Sequence, residues 1–403
     1  MAGETITFGE VAELVRQAIQ PKNATGMPYI GLEHIEEGTL HFNGYGQVKD
    51  VKSTKFRFSK GDILFGKLRP YFRKVIRAPF DGVCSTDIWV VRAKRGVEQG
   101  YLFYWMASQD FVDFATQGSE GTKMPRAKWD HVCRYKQVHL STDEQHAIAH
   151  ILGTLDDKIE LDRKMNETLE TMARAIFKSW FVDFDPIRAK MEGRQPFGMD
   201  AKTDALFPNS FQDSLLGKIP KGWSIKPIGD VLELAYGKAL KEDNRRPGNV
   251  PVYGSNGQVG WHNEALIKGP GIVVGRKGNP GIVTWVPTGF FPIDTTFYVI
   301  PKGTINSMYY LFHALSLQDL SSLGADSAVP GLNRNMAYMT EILEPTPEIL
   351  NVFDKRIGSY YERINVNDTE CSNLATIRDT LLPKLISGQI RVKDAEKFVG
   401  EVV

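Results

Sequence analysis

In two long stretches of the chain, apolar residues recur at spacings that alternate four and three. The first seam is Ile148, Leu152, Leu155, Ile159, Asp162, Asn166, Leu169, Ala173, Ile176 and Trp180. The second is Phe353, Ile357, Tyr360, Ile364, Asn367, Cys371, Leu374, Arg378, Leu381 and Leu385. This spacing predicts two long helices with a heptad seam. Both seams break at the same two central places, Asp162/Asn367 and Asn166/Cys371. Polar seam residues cost stability but fix register and orientation. Pro383 predicts that the second helix kinks or ends there. Elsewhere the pattern predicts β-rich runs at 62–65, 88–92, 271–274 and 297–300, punctuated by Gly and Pro. Short helices are expected at 8–18 and 228–235, and longer ones at 100–116 and 308–323.

These elements repeat. Gly153, Ile159, Leu169 and Ile176 match Gly358, Ile364, Leu374 and Leu381, all at an offset of 205. Pro125 meets Pro330 at the same offset. Ile63-Leu64-Phe65-Gly66-Lys67 matches Ile272-Val273-Val274-Gly275-Arg276 at 209, and Phe8-Gly9-Glu10-Val11 matches Ile228-Gly229-Asp230-Val231 at 220. Offsets that change in steps are what loop insertions produce. One period this long means two duplicated domains, not a solenoid.

The expected fold class is α+β. Two mixed α/β heads (1–142 and 221–345) are separated by long helices (143–182 and 346–392), with a linker at 183–220 and a tail at 393–403. The helices could each pack on their own domain. Antiparallel pairing into a coiled coil fits better, because it gives two sequential copies a pseudo-twofold arrangement. A helix of roughly 38 residues is about 57 Å long. It could act as a ruler between heads reading faces of B-DNA that recur every ~34 Å.

Composition narrows the chemistry. Net charge is +1, so a nucleic-acid surface must come from local clustering. Cys84, Cys133 and Cys371 form no CxxC, and the Met-Ala-Gly-Glu-Thr start does not read as a signal peptide. No apolar run reaches the ~20 residues of a membrane span. A cytoplasmic protein is expected, with no membrane partner.

The first head carries Lys67, Arg69, Arg73 and Lys74 in a stretch without acids and with Tyr71 and Phe72 among them; Lys123, Arg126 and Lys128 follow in a Gly/Pro-containing loop. Such a patch neutralises phosphates, though it also fits a plain solvated loop. In the second head the candidates are Ser255 and Asn256 in Gly254-Ser255-Asn256-Gly257, Arg276, Lys277 and Asn279 in Gly275-Arg276-Lys277-Gly278-Asn279-Pro280-Gly281, and Asn333-Arg334. Glycine lets backbone approach a phosphate, and Arg and Asn can make bidentate contacts with guanine and adenine. No G-x-G-x-x-G, HExxH or G-x-S-x-G occurs, so neither a metal nor a catalytic residue is assigned.

At the helix ends the wording becomes specific. Asn166-Glu167-Thr168-Leu169-Glu170 through Phe177-Lys178-Ser179-Trp180-Phe181-Val182-Asp183-Phe184, and Leu381-Leu382-Pro383-Lys384-Leu385-Ile386-Ser387-Gly388-Gln389-Ile390, resemble the central and distal regions of specificity subunits of type I restriction–modification enzymes. Val252-Tyr253-Gly254-Ser255-Asn256-Gly257, Gly275-Arg276-Lys277-Gly278 and Val329-Pro330-Gly331-Leu332-Asn333 resemble that family's second target-recognition domain. The resemblance implies a non-catalytic subunit that binds double-stranded DNA, two modification (methyltransferase) subunits and restriction (endonuclease/translocase) subunits. S-adenosylmethionine, ATP and Mg²⁺ are then expected on those partners and no cofactor on this chain. Trp180, Phe181 and Phe184 are candidates for the subunit interface, or equally for packing the coil end. The alternative class is a stand-alone nuclease or methyltransferase with an unrecognised site; a structural coiled-coil adaptor is a third.

Overall fold

The computed structural model describes residues 4–215, 217–324 and 331–395. It divides into two compact units, residues 1–163 with 369–403, and residues 164–368. Each unit therefore combines one head with half of each long helix.

The first head opens with one helical turn, Phe8–Val11, capped by Glu10 accepting from Thr7 N and Oγ1. The longer helix expected over 8–18 does not form. At Ala12 the backbone becomes extended and continues as strand β1 (Ala12–Val15). Pairing with a neighbouring strand there outweighs the local helical pattern. Strands β2 (Ile63–Gly66), β3 (Val75–Arg77) and β4 (Ile88–Ala93) complete an antiparallel sheet in the order β1-β4-β2-β3.

These strands read as continuous apolar runs because both faces are covered. Ile63, Phe65, Trp89 and Val91 pack among helical residues such as Leu102 and Phe111. Leu64, Ile76 and Val90 turn the other way, toward Ile30, Phe58 and Cys84 of a second, five-stranded sheet. The helix expected over 100–116 is two helices, α1 (Gln99–Ala107) and α2 (Gln109–Gln117). They are divided at Ser108, whose extended backbone and side chain cap α2 by accepting from Phe111 N.

Helix α3 (Thr142–Phe181) is the first long helix. After it, Asp185–Met191 and Ala201–Leu206 are helical, and Phe211–Ser214 pairs with Gly217–Pro220. Ile187, Met199 and Phe207 are buried with Trp180 and Trp223, so this stretch is part of the second unit's core.

The second head repeats the first. The single turn Ile228–Val231 leads into β5 (Leu232–Tyr236), followed by β6 (Gly271–Gly275), β7 (Val283–Val286) and β8 (Thr296–Pro301). Their order, β5-β8-β6-β7, is that of the first sheet strand for strand, and all pairs are again antiparallel. A small parallel pair recurs too, Tyr29/Val83 in one head and Val252/Phe291 in the other. Helices α4 (Met308–Leu317) and α5 (Arg334–Met339) precede the second long helix, α6 (Pro347–Ile386). Val329 and Pro330 of the second-head wording, and with them the Pro125/Pro330 match, lie outside the described residues.

In each unit the halves of α3 and α6 run antiparallel. In the first, Arg378 Nη1 donates to Asp156 Oδ1 at 2.7 Å and Lys158 pairs with Glu370 at 2.8 Å. In the second, Asn367 Nδ2 donates to Asn166 Oδ1 and Asn166 Nδ2 to Asp368 Oδ1, both at 2.7 Å, while Trp180 packs on Phe353. The paired numbers rise in one helix as they fall in the other. All twenty seam positions are buried or half-buried. The halves also pack on their own heads: Ile151 lies in the first core, and Phe177 and Tyr361 in the second. The helix does not end at Pro383, as the proline suggested; α6 continues to Ile386. Proline removes one intrahelical bond, and the burial of Leu381, Leu382, Leu385 and Ile386 holds the final turn.

Candidate nucleic-acid interface

The two basic stretches of the first head come together. Ala127 N donates to Lys67 O (2.9 Å), Arg69 N to Pro125 O (2.7 Å), and Leu68 and Arg126 form an isolated β-bridge. Lys67, Arg69, Lys123, Arg126 and Lys128 thereby share one loop surface. Arg69 and Arg73 bracket the turn Pro70–Phe72, and both have φ of 49° in the left-handed region. That conformation costs a non-glycine residue about 1–2 kcal/mol. Such strain persists only where the surroundings enforce it, and it concentrates at functional sites.

The charges are not equally free. Arg126 is held by Asp87 at 2.9 and 3.2 Å, and Lys128 by Glu120 at 2.8 Å. Arg73 points away, to Asp379 of α6 at 2.8 Å, and Lys74 donates to Leu32 O at 2.8 Å. Arg69 lies over the Phe72 ring at 5.9 Å and donates to Lys123 O at 3.4 Å. Burial pulls the Lys67 ammonium below the ordinary lysine value, with Asp87 opposing. Arg16, whose charge acts on Lys67, belongs to this cluster and carried no sequence signal of its own.

In the second head three separate loops converge. Ser255 Oγ donates to Thr295 O at 2.6 Å, and Arg276 N and Lys277 N donate to the same carbonyl at 2.9 and 3.1 Å. Asn279 Nδ2 donates to Asn256 Oδ1. Leu332 N donates to Arg276 O at 2.8 Å, which brings Asn333 and Arg334 alongside. Asn333 caps α5, its Oδ1 accepting from Asn335 N and Met336 N. Gly275 is required by close approach, since a Cβ there would sit 2.2 Å from Asn279 O. Arg276 and Arg334 both lie over the ring of Tyr236, each at 4.7 Å. Tyr236 is 48% exposed, and the sequence reading missed it. The offset of 220 places it opposite Arg16, which was the available signal.

The coil-end aromatics take the packing role. Trp180 and Phe181 are 4% and 5% exposed, against Phe207, Phe353, Trp223 and Tyr310. Burial of this degree is the coil-end packing that the sequence offered beside the subunit interface. Phe184 is half-buried and packs edge-on against Phe211 and Trp223. Among the described residues no group of three His, Cys, Asp or Glu could hold a metal ion, and no helix is long and apolar enough to cross a membrane.

Two heads of one topology, each carrying a basic loop cluster and half of an antiparallel helix pair, define a duplicated scaffold. The chain belongs to the family described as the type I restriction modification DNA specificity domain, whose model matches it twice, at residues 3–171 and 220–357. It is 27% identical to the type I restriction enzyme HindI specificity subunit of Haemophilus influenzae, over 85% of this chain and 90% of that one. It is 25% identical to the MjaIX specificity subunit of Methanocaldococcus jannaschii, over 93% and 87%. The crystal structure of a type I restriction–modification S subunit from M. genitalium shares the fold, with a TM-score of 0.57 at 18% identity over 95% of this chain and 96% of that one. The chain is thus a specificity subunit, the DNA-recognition component of a type I system.

Proposed function

We propose that this chain reads a bipartite DNA target, one half through each head, and docks modification subunits that methylate adenine within it. The observation that carries this reading is the strand-for-strand identity of the two sheets, β1-β4-β2-β3 and β5-β8-β6-β7, with different side chains in the loops beside them. Identical scaffolds with different loops suit two readers of different sequence. The candidate contacts are Lys67, Arg69, Lys123, Arg126 and Lys128 in the first head. In the second they are Ser255, Asn256, Arg276, Lys277, Asn279, Asn333 and Arg334. Arg73 and Lys74 serve instead to fix the first loop. The continuous helices α3 and α6 set the number of unspecified base pairs between the half-sites and offer their outer faces to the modification subunits; restriction subunits complete the assembly.

Methylome sequencing of a host carrying only this chain and its modification partner tests the reading. A split adenine-methylated motif is expected. A single unsplit motif, or none, would refute it. The purified chain with its partner should also lose DNA affinity steeply as salt rises, since phosphate contacts release counterions.

A further inference from the structure

We propose that Tyr236 is the specificity-determining platform of the second head, its ring holding Arg276 and Arg334 so that the freer fork, Arg334, reads the guanine of a G·C base pair in the major groove. This inference rests on the proposed function and names what one head recognises.

The three residues come from separate parts of the chain. Tyr236 ends β5 opposite Phe297 of β8, Arg276 follows β6, and Arg334 opens α5. Both guanidinium carbons lie 4.7 Å from the centre of the one tyrosine ring. Each also meets a second ring, Arg276 over Phe297 at 5.8 Å and Arg334 over Tyr338 at 5.7 Å. Tyr338 is itself fixed, its hydroxyl accepting from Leu234 N at 3.0 Å. Arg276 spends one donor on Asp294 O at 3.1 Å.

Two like charges gathered on one half-exposed ring repel each other. Among the described residues neither guanidinium has a carboxylate within ion-pair distance. A structural role would be served by one arginine and an acid. Two stacked forks with no carboxylate partner among the described residues are arranged for an outside acceptor. Stacking fixes the planes of the forks, so less freedom is lost when their N–H groups bind. Lysine meets a phosphate as a point charge and arginine can grip one with its fork, but such contacts carry no sequence information. The O6 and N7 acceptors of guanine need an oriented, bidentate donor pair.

The first head does not share the device. Arg16 and Lys67 stand at the places of Tyr236 and Arg276 by the offsets of 220 and 209. Its nearby Arg126 is tied to Asp87. The two heads thus present different chemistry from equivalent positions.

The test uses the full chain expressed with its modification partner, with the methylated motif read by single-molecule sequencing. The half read by the second head is identified by exchanging the first. Tyr236→Leu and Arg334→Lys should each relax the same single G·C pair in that half by about tenfold or more, with the other half and the gap unchanged. Tyr236→Phe keeps the ring and should keep the motif. Arg334→Lys leaves the ring in place, so its melting temperature should match the wild type even if Tyr236→Leu folds poorly. An unchanged motif in Arg334→Lys would overturn the proposal, as would uniform loss of methylation with discrimination intact, which marks a phosphate contact. A wild-type chain that yields no split motif would instead sink the proposed function, and this inference with it.

Discussion

Arg69 shows how a single residue can be placed for binding at a cost to folding. Its left-handed backbone would be relaxed in glycine. Arg69→Gly should therefore leave the melting temperature unchanged or slightly higher while weakening DNA binding by the complex. A clear loss of stability without loss of binding would assign Arg69 to the fold. His313 illustrates the opposite case, a buried group with no part in recognition. Burial, aided by the charge of Arg174, pulls its imidazole from 6.5 down to about 4. It stacks on Phe177 and lies 3.3 Å from the Tyr361 hydroxyl. The folded state binds this proton less readily than the unfolded chain. Its stability contribution is therefore complete above pH 6.5 and is lost as pH falls toward about 4, by up to about 3 kcal/mol. Unfolding titrations of wild type and His313→Phe should diverge in that window, and parallel curves would contradict the assignment. Residue detail was the least legible level in the sequence. Basic loop residues were visible as a cluster, but Arg73 and Arg69 look alike there; only the fold directs one to Asp379 and leaves the other beside Lys123.

At the scale of elements, the heptad pattern was readable because burial along α3 and α6 follows it closely. Arg378 stood in the seam without a reason. It is 2% exposed and donates to Asp156 and Asp379, with a longer contact to Thr39 O. Arg378→Ala would take the guanidinium from Asp156, which keeps the Tyr104 hydroxyl as a donor, and should destabilise the first unit by about 2–3 kcal/mol in denaturant titration. A change below about 1 kcal/mol would mean that water replaces the arginine. The asparagine pair Asn166–Asn367 is the matching polar layer of the second unit. The one-turn helices Phe8–Val11 and Ile228–Val231 were over-read, because Ala12 and Leu232 enter strands whose partners lie about eighty and seventy residues away, a pairing no local window contains. The helix ruler makes a further prediction. Deleting one heptad from each of α3 and α6, with both seams kept in phase, should shorten the unspecified gap of the motif without changing either half.

For the whole molecule, duplication was the most legible property, since it needs only the chain compared with itself. The structure turned a register of matching residues into two sheets of one topology and two units that each own half of both helices. The sequence could not show which loops meet, because the convergence of Arg276, Arg334 and Tyr236 depends on strand order. The central claim is that each head reads its own half-site. It is tested most directly by replacing residues 4–140 with the first head of another specificity subunit and reading the methylated motif of the chimera beside that of the wild type. One half of the motif should change while the other half stays the same. Changes in both halves, or in neither, would contradict the account.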